Sequence, residues 1–167
     1  LEVLCINCEA DLVNALGEAI PRKPSMKYLG AMLSAASGES TEVARRIGMA
    51  KQEFELLKQC WQHTSLSEAR KHEIYTSVVL SKLLYGLESA SLLSHDLRRL
   101  DGFHAACCRK LLRISHSFIS RVSNAFVLSK LGSKALSQTV LERQLKFFVQ
   151  STQRSHKDVV RSFVFEP

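Results

Sequence analysis

The sequence predicts a mainly α fold: a helical bundle around a buried central helix, preceded by a small β-hairpin segment. Three observations carry that expectation. Wound at about 3.6 residues per turn, the stretch Ile74–Leu87 is apolar on nearly every side, broken only by Lys82 and the small Thr76, Ser77 and Ser81. Val43, Ile47, Ala50, Phe54, Leu57 and Trp61 recur in steps of four and three, which keeps one helix face. Before about residue 40 the apolar period is nearer two, the period of a strand.

In chain order, Leu1–Ile6 reads as a short strand. Leu12-Val13 and Ala19-Ile20 flank Gly17 as a small hairpin. Pro21 and Pro24 enforce a loop. Met26–Leu33 follows as a strand kinked at Gly30, and the small, polar run Ala35–Ser40 reads as a boundary. Thr41 caps the next helix, with Glu42 in its first turn, where the helix dipole favours an anion. That helix ends near His63. Ser65 or Ser67 caps the central helix, which runs to about Ser89. Further helices are expected over Asp96–Ile114 (core side Leu97, Leu100, Phe103, Cys107, Leu111 and Ile114), Val122–Leu131 ending at Gly132, and Lys134–Arg154. An apolar tail, Val159–Phe165, closes the chain.

The chain has 167 residues, 46% apolar and 23% charged, enough apolar material for one core. Its net charge of +7 is uneven: residues 1–94 carry 10 Lys/Arg against 11 Asp/Glu, and residues 95–167 carry 13 against 5. That asymmetry suggests a polyanion surface in the second half. The odd count of five cysteines, without framework spacing, fits reduced thiols in an intracellular setting. Neither a signal peptide nor a membrane span is visible, and Ile74–Leu87 is shorter than the roughly 20 apolar residues a span needs. The opening Leu1, inside an apolar run, reads as the start of a piece of a longer protein.

The clearest functional signal lies on the helix from Asp96. At about 100° per residue, Arg98, Arg99, Arg109, Lys110 and Arg113 fall within an arc of about 120°, opposite the apolar side. Such a row suits nucleic-acid phosphates, each neutralised contact releasing a counterion; the alternative is a solvated face relieved by Asp96 and Asp101. A looser row on the last helix, Arg143, Lys146, Gln150, Arg154 and Lys157, reads as solvated. Cys5 and Cys8 have zinc-like spacing but no second pair, and His104, Cys107 and Cys108 read as packing, so no metal site is assigned. No catalytic set is assigned either: no Gly-rich phosphate loop and no paired aspartates on a strand turn are present.

Several stretches in order resemble one family. They are Lys27-Tyr28-Leu29-Gly30, Arg46-Ile47 with Ala50 and Phe54, Leu66-Ser67 with Lys71 and Ile74-Tyr75, and Leu84-Tyr85-Gly86-Leu87-Glu88-Ser89. Leu100, Phe103-His104, Cys107-Cys108-Arg109, Leu111-Leu112, Ser123-Asn124, Arg143 and Arg154 continue the order. Together, from about Leu1 to Arg154, they are similar to the segment after the catalytic core of non-LTR (LINE-type) retrotransposon reverse transcriptases. Ala90 departs from the family's usual Trp, and Phe147–Thr152 lacks its frequent Gly-His pair.

The resemblance implies that residues 1–36 are the last palm strands, with Lys27, Tyr28, Leu29 and Gly30 in a primer-grip-like position, and that residues 37–167 are a thumb-like helical bundle and the start of the following connection. It implies an RNA–DNA template–primer duplex and the upstream palm and fingers of the same polypeptide as partners, a nuclear setting, and no membrane. The family's catalytic aspartates lie upstream. The chain itself therefore has no cofactor and does not polymerise, while Mg2+ belongs to the parent RNA-directed DNA polymerase. The alternative reading is a stand-alone helical protein-interaction module derived from a retroelement, binding through a face such as Val43–Trp61.

Overall fold

The computed structural model describes residues 2–5, 12–28, 30–34, 40–63 and 65–154. The chain is mainly helical and forms two compact units, residues 1–45 and 46–167. The expected boundary at residues 36–37 falls within 35–39, outside the described residues, and the division between units lies later, inside the first long helix.

In the first unit, strands β1 (Ser25–Tyr28) and β2 (Ala31–Ser34) pair antiparallel with Tyr28 opposite Ala31. The sequence reading of one kinked strand is corrected here. Gly30, at φ +86°, is the second residue of a two-residue turn that folds the segment on itself. Leu29 lies outside the described residues. The expected strand Leu1–Ile6 is reduced, among its described residues, to a single parallel bridge from Val3 to Arg22. The turn around Gly17 forms as expected: Val13 bridges Ala19, and the Asn14 side chain accepts from the Leu16 and Glu18 amides.

Helix α1 (Ser40–Leu56) begins one residue before Thr41, so Thr41 sits inside the first turn and not at the cap. Its Glu42 accepts from the Met32 amide at 3.2 Å and from Arg45 at 2.6 and 2.7 Å. Arg45 in turn donates to the Gly30 carbonyl at 2.8 Å. The first turn of α1 thereby clamps the hairpin tip.

In the second unit, α2 (Lys58–Gln62) turns away from α1 at Leu57. The Trp61 indole donates to the Phe54 carbonyl at 2.7 Å, an acceptor near the C-terminal end of α1. Ser67 caps α3 (Glu68–Ile74) by accepting from the Arg70 amide. A π-helical segment, Tyr75–Leu80, leads into α4 (Ser81–Leu84). The buried row Tyr75, Val79, Leu83 and Leu87 repeats every four residues, and a straight α-helix would rotate it by about 40° per step. The wider π turn takes up that drift.

The central-helix expectation needs one correction, at its C-terminal end. The helix stops at Leu84, because Tyr85 is extended and Gly86 is left-handed at φ +73°; a 3-10 turn covers Leu87–Ser89. One side also faces solvent: Thr76, Ser77 and Ser81 are exposed, their hydroxyls donating to the carbonyls of His72, Glu73 and Ser77.

Helix α5 (Ser94–Leu111) touches α3, α7 (Asn124–Lys130) and α8 (Leu136–Thr152). It buries Leu100, Cys107, Cys108 and Leu111. A short helix that the sequence did not announce, α6 (Ser117–Ser120), stands between α5 and α7. The Asp101 carboxylate on α5 accepts from the Ser137 amide in the first turn of α8 at 2.9 Å, replacing the side-chain cap that Ala135 cannot supply. Gln144 ties α8 to the Ala90 carbonyl at 2.7 Å. The expected tail Val159–Phe165 lies outside the described residues, among which no helix is long and apolar enough to cross a membrane.

Candidate nucleic-acid interface

The cationic row on α5 divides into three parts. Arg98 and Arg99 are exposed on the N-terminal half of the helix. Arg99 lies 3.5 Å from Asp96, while Arg98 makes no hydrogen bond or ion pair with any described residue.

Arg109 is different, and its assignment as a phosphate ligand is corrected. The residue is only 6% exposed. Its Nε and Nη2 donate to Asn124 Oδ1 at 3.0 and 2.9 Å, Nη1 to the Ser115 carbonyl at 2.9 Å, and Nη2 to the Val122 carbonyl at 2.5 Å. Arg109 is the peg around which residues 115–124 fold back onto α5. That returning segment covers a part of the helix surface that periodicity assigns to solvent.

Lys110 and Arg113 form the third part. Lys110 is exposed, pairs with Glu55 at 2.7 Å and lies 5.5 Å from the centre of the Phe54 ring. The same pairing holds the Glu55 carboxyl below its ordinary range. Arg113 stands past the end of α5 and donates to the Gln62 carbonyl at 2.7 Å. With Phe54, Trp61 and Lys58, these two cations line a cleft of about 510 Å³.

A second cationic band lies on α8. Arg143, Lys146 and Gln150 are exposed on an arc of about 60°, whereas Lys157 lies outside the described residues. Arg143 and Lys146 make no hydrogen bond or ion pair with any described residue. Across residues 46–167, 19 Lys/Arg face 10 Asp/Glu, a net charge of +9 concentrated in the helical unit.

The inner side of α5 carries groups that nucleophilic or metal chemistry would use, but their setting suppresses it. His104 is fully buried, stacked on Tyr75 with ring centres 5.7 Å apart. Tyr75 Oη stands 2.9 Å from its Nδ1 and Ser133 Oγ 3.0 Å from its Nε2, so a neutral imidazole has one donor and one acceptor partner. Burial, helped by nearby His72, holds the His104 pKa down at about 4. Burial pushes the Cys107 and Cys108 thiols up to about 12, so neither is a thiolate at neutral pH. These three residues pack, as the sequence suggests. Among the described residues no three His, Cys, Asp or Glu side chains converge to hold a metal ion.

The primer-grip-like group lies in the first unit. Lys27 and Tyr28 are exposed at the end of β1, Tyr28 by 59%, and Gly30 forms the turn that Arg45 holds. Sequence reasoning missed three features: the engagement of Arg109, the closure of His104 between two hydroxyls, and a buried lysine, Lys71. Apolar periodicity carries no signal for the first two, because both depend on partners in other segments, 6 to 29 residues away in the chain. No protein-family model, curated protein or solved structure matches this chain.

Proposed function

We propose that the chain is the palm-edge and thumb region of a non-LTR retrotransposon reverse transcriptase, and that its work is a sequence-independent grip on an RNA–DNA template–primer duplex. The observation that carries the reading is the helical unit's excess of positive charge, displayed in part by Arg98, Arg143 and Lys146, which have no protein partner among the described residues. Exposed cations that neutralise no carboxylate suit phosphates, and phosphate contacts position a duplex without reading its bases. The hairpin tip with Gly30 gives a backbone that approaches a strand closely, which supports the primer-grip role of Lys27, Tyr28, Leu29 and Gly30.

On this reading the fragment does not polymerise alone. The resemblance implies that the catalytic aspartates, and with them the Mg2+ ions of the parent polymerase, lie upstream of this segment. Those ions belong to the upstream palm. The test is a binding titration of the purified chain against RNA–DNA duplexes of unrelated sequence at several salt concentrations. Similar affinities that fall steeply with salt support the grip. Affinity that is absent, or insensitive to salt, overturns it.

A second reading, a helical protein-interaction module, draws on a different surface from the one the sequence suggested. Val43, Ala50, Phe54 and Trp61 are all buried. Leu141, Leu145 and Phe148, by contrast, form an exposed apolar row on α8. Binding through that row would persist at high salt.

A further inference from the structure

Helix α8 is apolar on two sides. On one, Leu136 and Val140 are buried, and the helix packs on α5. On another, Leu141, Leu145 and Val149 are 56%, 56% and 50% exposed. They recur every fourth residue and form one row about 12 Å long. Phe148, half exposed, stands at one edge of it. Scattered exposed apolar side chains are ordinary, but a continuous row on one helix face marks a surface that something covers.

The two edges of the row differ. Along one stand Glu142 and Lys146, four residues apart and of opposite charge. Glu142 pairs with Lys134 at 2.7 Å, but the two side chains are 60% and 62% exposed, and a pair so wet holds Glu142 only weakly. Lys146 makes no hydrogen bond or ion pair with any described residue. Along the other edge, Phe148 projects near one end of the row. A hollow of about 210 Å³ lies toward the opposite end, lined by Leu97, Ser137, Gln138, Leu141 and Gln144.

We infer that this face of α8 is the contact between two copies of the chain, paired antiparallel about a two-fold axis. In such a pair each edge meets the same edge of the other copy with the chain direction reversed, so the surface must complement itself. An axis level with Gln144 satisfies all three features at once. The two rows interleave, since row residues rise about 6 Å per step and the copies are then offset by about 3 Å. Glu142 comes level with Lys146 of the partner subunit, and the axis repeats that pair. Phe148 comes level with Val140 of the partner subunit, midway along the residues 137–144 that line the hollow. A partner of unrelated sequence requires no such symmetry about a single level. Arg143, about 160° round the helix from Leu145, stays outside the contact and keeps its phosphate-facing role, while Lys146 turns to the second copy. The row is short, so the dimer is a weak one, in the micromolar range. The inference does not rest on the duplex grip.

Sedimentation equilibrium of the full chain, from micromolar to several hundred micromolar, tests it. The expected result is a reversible monomer–dimer equilibrium. Leu145→Asp puts a charge in the middle of the row and should leave the chain monomeric. Its circular dichroism and melting should stay close to the wild type, because the position is exposed in the monomer. Lys146→Glu and Glu142→Lys should each weaken the dimer about tenfold, by setting like charges level with one another at two symmetric places. The double variant Glu142→Lys/Lys146→Glu should regain most of that loss, which non-specific clustering of an apolar patch would not do. The inference is overturned if the wild type stays monomeric throughout, since the row is then covered by another protein or another part of the parent polypeptide. It is equally overturned if Leu145→Asp dimerises like the wild type, or if the double reversal binds no tighter than the single variants.

Discussion

Arg98 and Arg109 stand about 20° apart on the helical wheel of α5, yet they have opposite fates. Arg98 is exposed and makes no protein contact through its charge; Arg109 is buried, with its guanidinium committed to Asn124, Val122 and Ser115. The helix does not make the difference. Residues 115–124 return over its C-terminal half, and among the described residues no equivalent segment returns over Arg98. A cationic stripe read from periodicity alone therefore mixes a fastening with a surface. The surface that remains for a polyanion is Arg98 and Arg99 at one end, with Lys110 and Arg113 beside the other.

The largest expected effect is at the fastening. Arg109→Ala removes every one of those bonds and leaves the acceptors on Asn124, Val122 and Ser115 without their donor. It should cost about 3–5 kcal/mol, read as a lowered urea midpoint. If Arg109→Ala instead melts like the wild type and loses duplex binding, the two ends of the stripe do the same work and the contrast fails.

The inner face of α5 gives the next effect, through pH. The folded-state pKa of His104, about 4, lies below the ordinary value of about 6.5. Between those values the unfolded chain binds a proton that the folded chain refuses, so stability is full above about pH 6.5 and falls as pH drops toward 4. The loss is on the order of 3 kcal/mol by pH 4, and His72, also held down by burial, adds in the same direction. Urea titrations from pH 7 to 4 should show that slope, and His104→Gln should flatten most of it.

Smaller effects sharpen the contrast further. Asp101→Ala should cost about 1 kcal/mol, because the first turn of α8 loses the acceptor for its Ser137 amide. A change well below this would mean that water caps α8 equally well. Arg98→Ala should change stability by no more than about 0.5 kcal/mol, as an exposed charge far from caps and core.

Much of the helical unit was legible because apolar periodicity is a local property. The face from Val43 to Trp61, the Ser67 cap, the Gly132 stop and the core side of α5 all follow from spacing within one element. The reading failed where one element answers to another. The row at Tyr75, Val79, Leu83 and Leu87 looked like part of an all-round apolar helix, but its four-residue step belongs to a helix widened into a π turn with one wet side. Met26–Leu33 looked like one strand because Gly30 reads alike as a kink or a turn until its partner is known. Of the stripe on α5, charge and azimuth found Arg98 and Arg99 correctly as exposed. They misplaced Arg109, whose burial comes from a segment with no periodic signature. The burial of Lys71 has no signal in the sequence, since nothing in its neighbourhood announces it.

The most direct test is the Arg98→Ala/Arg99→Ala double variant in duplex binding across several salt concentrations, with circular dichroism as the folding control. The account predicts a normally folded protein that binds unrelated RNA–DNA duplexes more weakly and to a similar extent. Its log–log salt slope should be smaller by about two, roughly one for each phosphate contact removed. A double variant that folds normally and keeps both the affinity and the slope of the wild type would contradict the account and move the interface to Arg143 and Lys146 on α8.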